Sequence, residues 1–309
     1  KSEVVTRTSI LEAEELIAIS EYFGQGVHTV NKEIEGRFEE LVSKAPEETI
    51  GGLEAIVVDE QLSDSAREGA IYALGRAAEW NNASVEILKS FVLNDDLPET
   101  LRMASVSALG YIADYRGGTQ AAVDALKDIA LNEHCPYELR LASVNALVNA
   151  AQRSDGYKAV EALKDLVLNE QLSDSLKEVS IHGLRNAYWK NNQTAEKAIK
   201  ELIPTLKVFI SDDRRSDSLR IEAITLLNLA SVYGELKQIV QDVIEELIPI
   251  FKAVIPDDQR SDGLRGACIA LLDRAVWRGS QVALMAVEEL IPTFKAIILD
   301  GRYSDYLRE

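Results

Sequence analysis

One short phrase returns along the chain at near-regular spacing. A chain built that way folds as a stack of equivalent units, not around one closed core. The phrase reads Ser63-Asp64-Ser65-Ala66-Arg67, Ser173-Asp174-Ser175-Leu176-Lys177, Ser216-Asp217-Ser218-Leu219-Arg220, Ser261-Asp262-Gly263-Leu264-Arg265 and Ser304-Asp305-Tyr306-Leu307-Arg308. Weaker copies, Pro98-Glu99-Thr100-Leu101-Arg102 and Pro136-Tyr137-Glu138-Leu139-Arg140, bring the basic residues to 67, 102, 140, 177, 220, 265 and 308. The flanks keep step. An apolar or small residue followed by Leu comes six and seven places later, as in Ala73-Leu74 and Leu271-Leu272. A Lys stands ten places before the Asp position: Lys89, Lys127, Lys164, Lys207, Lys252 and Lys295. Length therefore varies only between units, where insertion is tolerated best.

Each unit reads as two helices. The first shows apolar residues at spacings of three and four, as in Ala159, Val160, Ala162, Leu163, Leu166 and Val167. A polar turn follows. The Asp position (Asp64, Asp174, Asp217, Asp262, Asp305) is then expected to be the N-cap of the second helix, its carboxylate facing the positive end of the helix dipole. The Lys is expected in the last turn of the first helix, where a cation suits the dipole. Second helices run to turns at Trp80, Tyr115, Trp189, Tyr233 and Trp277, an aromatic edge expected to pack between layers. No strand alternation is sustained, so the chain reads as all-α.

These residues resemble the HEAT-repeat family. The stretches from Ala66-Arg67 to Ala73-Leu74-Gly75 and from Leu101-Arg102 to Ala108-Leu109-Gly110 match its second-helix pattern. A Pro inside the first helix, common in the family, occurs in the last three units at Pro204, Pro249 and Pro292, where kinks are expected. The earlier, shorter units are similar to the compact HEAT variants of phycobilin-lyase subunits. The resemblance implies a right-handed α-α superhelix, a HEAT-like solenoid of about six and a half helix-pair repeats. It also implies that the Asp and basic positions (Asp64, Arg67, Arg102, Arg140, Asp174, Lys177, Asp217, Arg220, Asp262, Arg265) form a structural ladder bridging neighbouring turns, and that second helices line the concave side.

Residues 1–45 are expected to form a helical cap, with Ser9 and Glu12 as a capping box, and residues 46–309 the repeats, the last incomplete. A sequence ending a few residues into a second helix would leave an apolar layer open. The expectation is a longer natural chain, or self-association through that uncapped end.

Little here supports chemistry. The histidines, His28, His134 and His182, lie in different units and none precedes Glu, against the His-Glu pairs of the HEAT enzyme deoxyhypusine hydroxylase. No nucleophile triad order, phosphate loop or metal motif is present, so neither enzyme activity nor a cofactor or metal is expected. Cys135 and Cys268 are 133 residues apart and read as buried apolar side chains. A formal charge of −18 opposes broad contact with nucleic acid, and no apolar run is long enough for membrane insertion. Residues 1–100 hold 21 acids and 8 bases, so a basic partner could be steered to that end. The compartment stays open: cytoplasmic is favoured, with a processed, secreted form as the alternative because residue 1 is Lys.

The expectation that remains is a non-catalytic scaffold binding a protein or peptide. Partner-binding residues should vary between units on an exposed face. The fifth residue after each basic position gives Tyr72, Ser107, Asn145, His182, Thr225 and Ala270; the ninth gives Arg76, Tyr111, Asn149, Asn186, Leu229 and Arg274. Tyr111, Asn145, Asn149, His182 and Asn186 form an uncharged strip suited to a peptide backbone. The alternatives are a structural component stacking end to end and an accessory, lyase-like enzyme subunit.

Overall fold

The structure, a computed structural model, describes residues 2–25, 31–114, 119–153, 155–190, 193–232 and 235–300, with side chains from residue 13 onward. These form fifteen helices and no strand: α1 (Ser2–Gly24), α2 (Lys32–Lys44), α3 (Pro46–Val58), α4 (Asp64–Ala77), α5 (Ala83–Leu93), α6 (Glu99–Asp114), α7 (Gln120–Leu131), α8 (Tyr137–Ala151), α9 (Tyr157–Leu168), α10 (Asp174–Trp189), α11 (Gln193–Ser211), α12 (Asp217–Val232), α13 (Lys237–Val254), α14 (Asp262–Trp277) and α15 (Gln281–Leu299). From α3 onward they alternate as first and second helices in the expected register. The chain divides into two compact bodies, Lys1–Ala162 and Leu163–Glu309. Within the first, α4, α6 and α8 pack in succession and α5 packs on α7. Within the second, α10, α12 and α14 pack in succession, as do α11, α13 and α15. Each body is thus two layers of helices around a shared apolar seam.

The turn inside each unit explains why its length is fixed. Three contacts lock it. An Asx residue ends the first helix and its Oδ1 accepts the N–H two places on: Asp59 from Gln61, Asn94 from Asp96, Asn132 from His134, Asn169 from Gln171, Asp212 from Arg214 and Asp257 from Gln259. In three units the Ser before the Asp position caps the second helix with its side chain. The Oγ atoms of Ser63, Ser216 and Ser261 accept from Ala66, Leu219 and Leu264. The N-cap position expected of Asp64, Asp174, Asp217 and Asp262 therefore belongs to the preceding Ser, which at Ser173 makes no side-chain capping bond. The Asp is the first helical residue and still complements the dipole.

The third contact comes from the basic residue. Each Arg Nε donates to a carbonyl ten residues back, at the end of its own unit's first helix. Arg67 reaches Val57 at 2.8 Å, Arg102 Val92 at 2.9 Å, Arg140 Ala130 at 2.9 Å, Arg220 Ile210 at 3.1 Å and Arg265 Ile255 at 2.9 Å. The Arg thus satisfies an orphan carbonyl of one helix from the first turn of the next. Arg67, Arg102, Lys177, Arg220 and Arg265 are buried, not the partly exposed surface pairs a ladder of ions suggests. Lys177, which has no guanidinium, lies over the Phe209 ring at 5.5 Å; burial and then the Arg215 charge depress its pKa.

Bridging between units falls to other groups. The Asp174 and Asp217 carboxylates accept the backbone N–H of Ser216 and Ser261, at 2.8 and 2.9 Å, in the following turn. Asp64 has no such bond and faces solvent. The equivalent residue ahead of it is Pro98, which has no N–H to give. On the first-helix layer, Lys89 pairs with Asp128, Lys164 with Glu201, Lys207 with Glu246 and Lys252 with Glu289, always in the next first helix. Of these four only Lys252 lies in a last turn, so the Lys row serves units more than dipoles. Pro204, Pro249 and Pro292 sit inside continuous helices on exposed faces, where the carbonyls they leave unpaired can meet water.

Asp217 yields a pH prediction. Burial pushes its carboxyl up, but the Ser261 N–H and hydroxyl and the Arg260 and Arg220 charges outweigh this and hold it below the usual range. A depressed carboxylate contributes stability that is complete above its unfolded pKa of about 3.9 and is lost as pH falls through the folded value. Asp217→Asn should therefore cost about 1–2 kcal/mol at pH 7. The gap from the parent, followed by urea titration, should close below pH 4. A gap unchanged to pH 2 contradicts the assignment.

At the amino end α1 begins at Ser2, so Ser9 lies inside the helix instead of capping it. It packs on α3 and α4. Arg76 of α4 pairs with Glu35 and Glu39 of α2, 3.6 and 3.5 Å away, and its guanidinium lies over the Phe23 and Phe38 rings. His28, Tyr115, Tyr233 and the seventh phrase at Ser304–Arg308 lie outside the described residues.

Candidate binding face

The second helices spend their repeated residues on the seam and the turn. What they show to solvent is what changes from unit to unit. Gly75 and Gly110, the small residues of the matched pattern, let these helices approach closely. A Cβ there would meet the Cβ of Ala108 at 3.2 Å and of Ala146 at 3.0 Å. The fifth- and ninth-position rows are all exposed or half-buried.

In the first body, Tyr111, Asn145 and Asn149 come together with Ser107 around an open groove of about 490 Å³ between α6 and α8. The Asn pair sits at i and i+4 on α8, so both amides project from one face. Asp114 closes the groove's rim and reaches Arg153 at 3.6 Å. Tyr72 is exposed on α4, whereas Arg76 is engaged by α1 and α2 as described.

In the second body, His182 and Asn186 belong to a charged setting. The Arg185 guanidinium, which can only donate, approaches His182 Nδ1 at 2.8 Å. The Glu222 carboxylate faces the same nitrogen at 3.8 Å. Arg185 also pairs with Glu222 at 3.0 Å. Burial, reinforced by the Glu222 charge and opposed by His182, raises the Glu178 pKa. The strip is therefore uncharged only in the first body. Arg185 stands one place before the ninth-position row and Glu222 three places before the fifth-position row, at offsets eight and two from their basic residues; opposite charges at those offsets in neighbouring units were the available signal. A second groove, of about 500 Å³, lies between α10 and α12, lined by Arg185, Asn186, Trp189, Thr225 and Asn228, with Arg274 reaching in from α14.

The aromatic edge is more open than layer packing requires: Trp80, Trp189 and Trp277 are 40, 63 and 84% exposed. Cys135 and Cys268 are free and buried, and burial pushes the Cys268 thiol up to about 12, where it is unreactive at neutral pH. Among the described residues no cluster of three or more His, Cys, Asp and Glu could hold a metal, and no helix is long and apolar enough to cross a membrane.

Solved structures with this arrangement identify the fold. A chain of the Kap95p–RanGDP structure aligns over 96% of this chain and 40% of its own, at 14% identity and a TM-score of 0.53. Kap121p aligns over 94% and 30%, at 11% identity and 0.57. The AP-3 complex aligns over 84% and 44%, at 17% identity and 0.54. The chain has a HEAT-like helical-repeat fold. It spans less than half the length of each of these three proteins. No protein-family model and no curated protein matches it. At such identities the likeness concerns the HEAT-like backbone, and function has to be argued from the face just described.

Proposed function

We propose that this HEAT-like chain is a non-catalytic scaffold that binds another protein or peptide on the face presented by its second helices. The observation that carries the reading is the division of labour along each second helix. Repeated residues are buried in the seam and the turn, while the fifth position differs in every unit, the ninth varies among four residue types, and both remain accessible. Amide and phenol groups gathered at Tyr111, Asn145 and Asn149 match the donors and acceptors of a peptide main chain. Kap95p, whose structure shares the fold, binds RanGDP, a precedent for this use.

The test is quantitative capture of a partner by the immobilised protein. Tyr111→Ala combined with Asn149→Ala should weaken capture about tenfold or more, the scale of a central contact pair. Equal capture by parent and variant, or turnover of a small molecule with no protein captured, overturns the reading. A second reading, self-association through α15, rests on the exposed Met285, Ile298 and Leu299. Light scattering that stays monomeric as concentration rises counts against it.

A further inference from the structure

We infer that the groove between α10 and α12 receives an extended acidic segment of another protein, with one of its carboxylates seated on Arg274. This deepens the scaffold reading and rests on it.

Arg274 is aimed by its own hydrogen bond: Nε donates to Asn228 Oδ1 at 3.3 Å. That contact settles the amide orientation, since an Arg can only donate, and so turns the Asn228 NH2 toward the groove as a donor. The two terminal guanidinium nitrogens of Arg274 have no hydrogen-bond or ion-pair partner among the described residues. Arg185, on the same groove, is neutralised by Glu222. One forked cation is thus left over.

Lys190 and Arg278, exposed at the ends of α10 and α14, likewise have no ion pair among the described residues. The acid in the intervening turn is the exposed Glu235. Glu196 accepts the Glu235 N–H at 2.6 Å and the exposed Asp273 precedes Arg274, so the case for an anion rests on the unused fork of Arg274 and not on a local surplus of charge. Arg274 does complement the carbonyl end of α14, which draws on its charge but leaves its fork of donors unused. A carboxylate is the group that fits that fork with two parallel bonds.

The remaining walls select a peptide over a lone anion. Asn186 and Asn228 supply amides for a main chain, and the half-uncovered Trp189 ring offers a flat surface for an apolar side chain. The groove's volume, about 500 Å³, falls in the range of specific binding sites.

The experiment screens the intact protein against fluorescein-labelled random octapeptides, then measures retained sequences by anisotropy on the parent, Arg274→Gln and Arg274→Glu. Asp- and Glu-containing peptides with an apolar neighbour should be enriched. Arg274→Gln should weaken them about tenfold or more, and Arg274→Glu should transfer the preference to Lys- and Arg-containing peptides. Circular dichroism melts confirm that both variants are folded. Acidic peptides that bind Arg274→Gln as well as the parent overturn this inference and leave the scaffold reading standing. Retention of no peptide of any composition counts against both.

Discussion

Arg220→Ala should unfold the second body at markedly lower urea than the parent, by about 3–4 kcal/mol. The side chain is 0% exposed, its Nε holds the Ile210 carbonyl at 3.1 Å and its Nη1 holds Asp213 at 3.0 Å. Truncation has three consequences. It leaves a buried carbonyl unpaired, which costs about 1–3 kcal/mol. It removes the packing of the stem and opens a cavity, about 2 kcal/mol more for a side chain of this size. The abandoned Asp213 adds little, because it is largely solvated. Arg220→Lys should recover part of the loss, since Lys177 occupies the same place in the preceding unit. Hydrogen exchange should localise the effect to the last turn of α11. A loss below about 1 kcal/mol would show that the tether is dispensable.

Gly69→Val should be comparably severe in the first body. A Cβ on Gly69 would lie 1.7 Å from the Ser20 carbonyl oxygen and 2.6 Å from the Gly24 nitrogen. Both are backbone atoms, so no rotamer change relieves the overlap. Helix α1 must move off α4, at about 2–3 kcal/mol or more. Gly24 meets the Ser65 carbonyl in the same way, at 1.8 Å, so the approach is mutual. Gly36→Ala is the control. Its Cβ would meet nothing within 4 Å, and the change should stabilise α2 by up to about 1 kcal/mol. Limited proteolysis should release α1 from the Gly69→Val protein and not from Gly36→Ala. Unchanged protection of both would mean that α1 is not held by this contact. We propose on the same ground that residues 1–45 act as the cap of the first repeat.

The repeats, their phase and the two-helix reading could be taken from the sequence, because the 35–45-residue recurrence of a basic residue is long-range information that local propensity lacks. The turn chemistry was harder to read. Ser63 and Asp64 are both good caps by type, and only geometry shows the serine accepting the bond. The Asx residue eight places before each base recurs as regularly as the base itself, and the acid seven places before it, which holds Arg102 through Asp95 and Arg220 through Asp213, recurs in every copy but the last. They were legible in principle and were hidden by the choice of the Asp as anchor. The candidate face was legible only as rows. That Arg76 turns to α2, that Glu222 neutralises Arg185 and that Arg274 is left over depend on which neighbouring helix each side chain meets.

The Arg tether closes inside a unit, ten residues back, and asks nothing of the neighbour. Each helix pair that carries one is therefore an exchangeable cassette, able to be duplicated, deleted or spliced in whole while its internal turn stays intact. What must be rematched at the junction is the outer Lys–acid pairs, the Ser-to-Asp bonds where they exist, and the packing and polar contacts between successive second helices. The first three cassettes are joined without a Ser-to-Asp bond, because Pro98 and Pro136 have no N–H to donate, so they are the more permissive ones for recombination. Lineages of this architecture can lengthen, shorten or re-face their binding surface by moving cassettes, without first solving a folding problem.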